Sequence, residues 1–190
     1  YLILYIFPFP IDQLPLMESV TEFLGEFWKW SAPLVGEHIL GIEEPVVTRI
    51  TGSGDMTYNY VILFICVCIS LIACGIWTAL QFNQRAYPNL YKWFLVFVRY
   101  YLAFTMLSYG WYKVYYLQFG PPSMYRLLQP YGDSSPMGLI WTFMGFSKTY
   151  TMFTGFGEVV GGLLLLFRRT TTLGAAVLIA VMVNVVMINF

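Results

Sequence analysis

One stretch constrains the fold of this chain more than any other: residues 61–80 carry no formal charge. An α-helix rises about 1.5 Å per residue, so a run of this length can cross the roughly 30 Å hydrocarbon core of a bilayer. The composition agrees, because 58% of the residues are hydrophobic and only 11% are charged, whereas a soluble domain carries about 25% charged residues. The sequence therefore predicts an all-α, polytopic transmembrane helical bundle.

Further apolar runs indicate about five crossings in total. The first residue is a tyrosine, and the last residues lie within an apolar run. We therefore expect a fragment of a longer chain, with at least one more crossing beyond Phe190. The predicted crossings are the end of a span at residues 1–9, then 58–80, 93–117 and 149–167, and a fifth that begins near Leu173.

Two long segments, residues 10–58 and 118–148, separate these crossings. Apolar residues at helical spacing in the first segment predict an amphipathic helix, which either lies on the membrane surface or packs on a small extramembrane domain. Prolines and glycines then predict turns at Pro33, Gly36, Gly41 and Pro45. In the second segment, residues 137–146 predict a short re-entrant or interfacial helix. The chain is accordingly divided into residues 1–92, with the N-terminal crossings, and residues 93–190, with a helical core.

Charges predict the orientation of the chain in the membrane. The short loops 81–92 and 168–172 contain four basic residues and no acidic one, whereas the two long segments contain most of the acids. Short basic loops face the cytoplasm as a rule, so the long segments are expected on the periplasmic side of a bacterial inner membrane. Lysine plus arginine equal aspartate plus glutamate in number, which argues against a nucleic-acid partner. The basic residues of the short loops are Arg85, Lys92, Arg168 and Arg169.

Three ionisable residues within the crossings indicate where a site lies. Arg99 and Lys113 fall on the third crossing and Glu158 on the fourth, and each costs about 2.5–3.5 kcal/mol on insertion scales. Counted from the predicted helix ends, Arg99 and Glu158 lie at similar depths, so we predict an ion pair between them. Asn184 reaches a comparable depth and is expected to complete the polar cluster. Lys113 is expected close to the outer surface, with its ammonium extended toward the headgroups.

Small residues on the same two crossings predict close helix packing. Gly110 lies on the third crossing, and Gly155, Gly161 and Gly162 form a stripe on the fourth, so the two helices are expected to face each other. An Arg–Glu pair between them has three interpretations: a contact that only fixes helix register and topology, a binding or proton-coupled site, or charges that face lipid where the bilayer is locally thinned. Tyrosines and tryptophans around the pair, Tyr109 among them, are typical either of a headgroup belt or of a pocket for a planar ligand such as a quinone.

The remaining chemistry-bearing residues give no catalytic motif. The three cysteines, Cys66, Cys68 and Cys74, share one apolar run and are interpreted as small buried hydrophobes. His38 is the single histidine, and it is interpreted as a surface residue. We expect no metal site and no covalently bound cofactor, and whether the chain is an enzyme stays open.

The polar positions of the third and fourth predicted crossings resemble those of the DoxX-like family of bacterial membrane proteins. The first helix has an arginine followed by Gly-x-x-Lys, as in Arg99 to Gly110 and Lys113. The second has Gly-x-x-Glu followed by Gly-Gly and leucines, as in residues 155–166. A turn of basic residues and threonines and an Ala/Val-rich helix follow, so the resemblance covers residues 98–190. The chain is similar to the longer, Bacteroidetes-type members of the family.

The resemblance implies a four-helix core that is incomplete at the C-terminus of this fragment. Some relatives are membrane subunits of an archaeal thiosulfate:quinone oxidoreductase, and others associate with redox-stress enzymes. The expected role is therefore a membrane-anchoring or quinone-facing subunit of an oxidoreductase assembly, with the lipid bilayer and other membrane subunits as partners. The competing roles are a non-enzymatic accessory or scaffold subunit and a small-solute transporter.

Overall fold

The computed structural model describes residues 1–14, 16–43, 46–48, 56–81 and 86–189. The chain divides into two compact units, Tyr1–Tyr87 and Pro88–Phe190. The predicted division between residues 92 and 93 falls inside the first helix of the second unit rather than between the units. Of the basic residues that predicted the orientation, Arg85 lies outside the described residues.

The described residues of the first unit form three α-helices. Helix α1 is Leu2–Ile6, α2 is Glu18–His38 and α3 is Thr57–Leu80, with a short 3-10 turn at Ile11–Gln13. Helix α3 begins one residue before the predicted second crossing, 58–80, and ends with it at Leu80. Its side chains Val61 and Cys66 are buried, and no disulfide joins the three cysteines.

Helix α2 is longer than the sequence predicted. It continues through Pro33 and Gly36, where turns were expected, and ends at His38. Pro33 has no amide hydrogen to donate, but Ala32 and Gly36 beside it are buried, and this packing offsets the lost bond. The predicted turn at Gly41 is present, because Gly41 has a φ of 65°.

The second unit is built from five α-helices. Helix α4 is Pro88–Val114, α5 is Met124–Leu128, α6 is Pro136–Phe146, α7 is Lys148–Leu166 and α8 is Thr171–Asn189, with a 3-10 turn at Tyr131–Asp133. Helix α7 lies between α4 and α8, and α6 contacts α7 and α8. Lys92, which the sequence placed in a loop, therefore lies on α4.

The short helix predicted at residues 137–146 is confirmed as α6. It begins after Ser135, whose side-chain oxygen accepts a hydrogen bond from the Gly138 amide at 3.1 Å. Such a cap satisfies one of the free amides at a helix start. Helix α7 follows α6 after the single residue Ser147, so the predicted long loop ends in an ordered helical corner.

Among the described residues, three helices are long and apolar enough to cross a membrane: Thr57–Leu80, Pro88–Val114 and Lys148–Leu166. Pro136–Phe146 and Thr171–Met187 are shorter apolar helices. The described residues contain helices and no strand, which confirms an all-α helical membrane protein. The total of five crossings stays a prediction.

Candidate functional site

Glycines bring α4 and α7 into direct backbone contact. A Cβ atom placed on Gly110 would lie 2.8 Å from both the Gly155 carbonyl oxygen and the Val159 amide nitrogen. A Cβ on Gly162 would lie 3.1 Å from the Ala103 carbonyl oxygen. Residue numbers rise along α4 as they fall along α7, so the two helices are antiparallel and their backbones nearly touch.

The remaining predicted packing glycine lies on the other side of α7. A Cβ on Gly161 would lie 2.5 Å from a methyl carbon of Leu178, which places this glycine against α8. The small residues of α7 therefore face two helices, α4 and α8, rather than α4 alone.

A buried ion pair joins α4 to α7 next to these glycines. The Lys113 ammonium donates to Oε1 of Glu158. Lys113 is 6% exposed and Glu158 is 2% exposed. A charge buried to this degree is strongly destabilising without a partner, so removing either side chain is expected to destabilise the packing of α4 on α7.

The predicted pair between Arg99 and Glu158 is therefore wrong, and so is the placement of Lys113 at the headgroups. Arg99 lies eleven residues before Gly110, which is roughly 16 Å along the helix axis. Val159, next to Glu158, contacts Gly110, so Arg99 and Glu158 are at different levels. The depth estimate assumed that the N-terminal end of α4 and the C-terminal end of α7 lie at the same level. In the structure the N-terminal end of α4 extends past the C-terminal end of α7.

A cavity of about 360 Å³ opens beside the Lys113–Glu158 pair. Its wall is mostly apolar and combines residues of α4, α6, α7, α8 and the segment that follows α4. Phe119 and Trp141 meet edge to face with their ring centroids 5.5 Å apart. The lining residues are Met106, Tyr109, Lys113, Gln118, Phe119, Ile140, Trp141, Met144, Glu158, Met182 and Val185.

Two buried oxygen atoms in the wall of this cavity have no hydrogen-bond partner. They are Oε2 of Glu158 and Oε1 of Gln118. A buried acceptor without a donor is unfavourable by about 1–3 kcal/mol, and such groups in native proteins often await a ligand or water. The residues of the cavity wall therefore include two acceptors without a donor, one ammonium and aromatic surface.

The predicted site residues divide into three groups. Lys113, Glu158 and Tyr109 meet at this cavity. Arg99 lies at a different cavity, with Lys92 and Arg168. Asn184 is exposed and lines neither cavity, since its position on α8 turns it away from Met182 and Val185.

Sequence reasoning missed Gln118, Phe119 and Trp141 as members of the site. All three lie outside the predicted crossings that carry the ion pair, on α6 or in the segment after α4. No spacing rule relates these positions to Glu158, because the chain folds back through α5 and α6 to place them.

The described part of the chain holds no group of three or more histidine, cysteine, aspartate or glutamate residues that fits a metal ion. His38 is exposed at the end of α2, with its Nδ1 atom 3.1 Å from the Leu34 carbonyl oxygen.

The comparisons with known proteins agree with this architecture. The uncharacterized protein YwoB from Bacillus subtilis (strain 168) is 38% identical over 94 residues, which cover 48% of this chain and 58% of that protein. This chain thus spans less than two thirds of that relative. No solved structure matches the chain. The model of the DoxX family matches residues 94–189, half of the chain, and the protein therefore belongs to the DoxX family of membrane proteins.

Proposed function

We propose that this protein is a membrane subunit that binds a quinone or quinol in the cavity beside Lys113 and Glu158, and that it serves a quinone-linked oxidoreductase assembly. The observation that carries the proposal is the free carboxylate oxygen of Glu158, in a side chain only 2% exposed and at the wall of that cavity. A buried ionisable group in a membrane-spanning helix marks a functional site by default.

The cavity has the chemistry that such a headgroup needs. Oε2 of Glu158 and Oε1 of Gln118 are acceptors for the two hydroxyl groups of a quinol, and the Lys113 ammonium is a donor for a carbonyl. Phe119 and Trp141 offer aromatic surface to a flat ring. A volume of about 360 Å³ falls in the usual range of small-molecule pockets, about 300–1,000 Å³.

Glu158 and Lys113 are suited to move a proton at the headgroup. A quinone supplies two-electron, two-proton redox chemistry when bound. Oε2 of Glu158 can accept a proton from a quinol hydroxyl group while Lys113 holds Oε1, so the ion pair fixes the orientation of the carboxylate. The apolar wall excludes bulk water and strengthens these interactions.

A second subunit would supply the electrons in this proposal. The sequence has one histidine, on α2, and its three cysteines all lie on α3. Neither set lies on the helices that form the cavity. The electron donor is therefore assigned to a partner protein in the membrane.

The distribution of charge supports an orientation in the bacterial inner membrane. Arg168 and Arg169 in the α7–α8 turn, together with Lys92, mark the end proposed to face the cytoplasm. The segment with α5 and α6 then lies on the periplasmic side. The quinone cavity, which α6 helps to form, would open nearer to that side.

A scaffold role is the second candidate, and one observation favours it. The Lys113–Glu158 pair joins α4 and α7 where their glycines touch, since a Cβ on Gly155 would lie 2.7 Å from the Lys113 Cβ. A pair in this position fixes the register of two helices whatever the cavity binds.

Binding of decylubiquinone to the purified full chain in mild detergent separates the two roles. Quenching of tryptophan fluorescence reports binding, and Trp141→Phe identifies the part of the signal that comes from the cavity. Glu158→Gln turns the free acceptor into an amide donor, so we expect at least a tenfold loss of affinity, about 1.4 kcal/mol. The matched control is Asn184→Ala, which changes an exposed side chain on α8 and should bind decylubiquinone as the wild type does.

The outcome that favours the scaffold is equally clear. Glu158→Gln would then bind decylubiquinone with unchanged affinity while its unfolding temperature falls. Saturable quenching whose amplitude is undiminished in Trp141→Phe would place the quinone elsewhere on the protein.

A further inference from the structure

A second cavity lies at the other end of α4, and only positive charge lines it. Its volume is about 500 Å³, and its lining residues are Lys92, Leu95, Val96, Arg99, Arg168 and Thr171. Three of these six side chains are cationic and none is acidic. Like charges that line one cavity repel each other, and an anion bound among them would relieve that repulsion.

The α4 residues of this cavity share one face of the helix. Positions 92, 95, 96 and 99 follow the i, i+3, i+4, i+7 spacing. Because α4 extends past the end of α7, this face meets the turn that carries Arg168 and the first residue of α8, Thr171. The partial positive charge at the start of α8 adds to the field of the three cations.

Arg99 has a buried hydrogen-bond donor that is not used within the described part of the protein. Its Nε atom is buried and has no hydrogen-bond partner, and no carboxylate forms an ion pair with it among the described residues. Its guanidinium carbon lies 5.0 Å from the centroid of the Tyr100 ring, which offers a flat surface but no acceptor for the N–H groups. A guanidinium presents five donors in a rigid fork that matches the oxygens of a phosphate.

We propose that this cavity binds the phosphate group of an anionic lipid, with Arg99 as the main donor and Lys92 and Arg168 as flanking charges. The walls fit a lipid rather than a free ion, since Leu95 and Val96 are apolar and exposed beside the charges. Leu173, close to the start of α8, is exposed as well. Basic pockets at the ends of membrane helices bind lipid headgroups in this manner.

The test uses the full chain in nanodiscs of phosphatidylcholine that contain either phosphatidylglycerol or cardiolipin, and native mass spectrometry counts the lipids that remain bound. We expect retained anionic lipid on the wild type and about a tenfold lower retention for Arg99→Gln. Lys92→Gln, which changes an exposed side chain, should also lower retention and gives a readout if Arg99→Gln does not fold. Lipid retention by Arg99→Lys should fall between that of the wild type and that of Arg99→Gln, because lysine keeps the charge but lacks the forked N–H donors of the guanidinium.

The matched control is Arg169→Gln. Arg169 is exposed, follows Arg168 directly and does not line the cavity. This variant removes the same charge from the same end, so its lipid retention should equal that of the wild type. An equal loss in Arg169→Gln and Arg99→Gln would overturn the proposal, because unspecific attraction of the basic end would then explain the binding.

Inorganic phosphate distinguishes a lipid from a free ion. Phosphate at millimolar concentration should displace the lipid only weakly, because it has no acyl chain to place on Leu95 and Val96. Binding of phosphate to lipid-free protein that is lost in Arg99→Gln would support the phosphate chemistry and assign a soluble source. No binding of either anion would refute the site.

Discussion

Gly110→Ala tests whether the contact between α4 and α7 holds the candidate site together. The added methyl group would lie 2.6 Å from a methyl carbon of Val159 and 2.8 Å from two backbone atoms, the Gly155 oxygen and the Val159 nitrogen. A side chain such as Val159 can rotate away, but the backbone of α7 cannot. The helices must therefore separate by at least 0.6 Å to bring these contacts from 2.8 Å to the ordinary 3.4 Å.

The expected loss of stability is about 1–3 kcal/mol, which is typical of an overpacked core. Alanine favours a helix over glycine by roughly 0.5–1 kcal/mol in water, and this gain offsets part of the loss. Gly155→Ala should behave similarly, because its methyl group would lie 2.7 Å from the Lys113 Cβ. This second variant also pushes Lys113 away from Glu158, so it should weaken decylubiquinone binding.

Reversible unfolding in mixed micelles, with titration of a denaturing detergent, measures these changes. The matched control is Gly75→Ala on α3, where a Cβ would meet no atom within 4 Å. It should be neutral or slightly stabilising. The reasoning is refuted if Gly110→Ala unfolds at the same detergent fraction as the wild type and as Gly75→Ala.

Three further predictions use the same preparations. Lys113→Met and Glu158→Gln should each lower the free energy of unfolding by about 3–5 kcal/mol. The double variant should lose less stability than the sum of the two single losses, by about 0.5–3 kcal/mol. Strict additivity in the unfolding assay would show that the two side chains do not couple. In a background without the native cysteines, a membrane-impermeant maleimide on intact cells should label Arg126→Cys and not Arg169→Cys, and the reverse labelling would invert the proposed orientation. Asn184→Leu should change the unfolding free energy by less than about 0.5 kcal/mol, since the side chain is exposed, and a loss above 2 kcal/mol in the same titration would mean that the amide is packed.

Helix positions were predicted well from local pattern. Apolar runs placed α3, α7 and α6 within one or two residues of their bounds in the structure, because the requirement to satisfy backbone groups in lipid acts on each helix separately. Helix boundaries were predicted less well where a proline suggested a turn, since α2 continues through Pro33. There, burial of neighbouring residues outweighed the local signal.

Pairing between helices was predicted less well. The sequence marked Glu158 as a site residue, and the structure places it at a cavity, but the partner predicted for it was Arg99 rather than Lys113. Both cations lie on the same helix, so a single helix wheel cannot decide between them. The choice depends on how far α4 slides along α7.

The sequence by itself determined that the chain is a bundle of membrane helices, that glycines on two of them permit close approach, and that a few charges lie in costly positions. Only the tertiary structure decided the register of α4 on α7, because that register follows from which glycine meets which backbone atom. It also decided that Gln118 and Trp141 reach the cavity, since α5 and α6 return the chain to the ion pair. Local patterns report the environment of one helix at a time, whereas a site between helices depends on distances that no single helix contains.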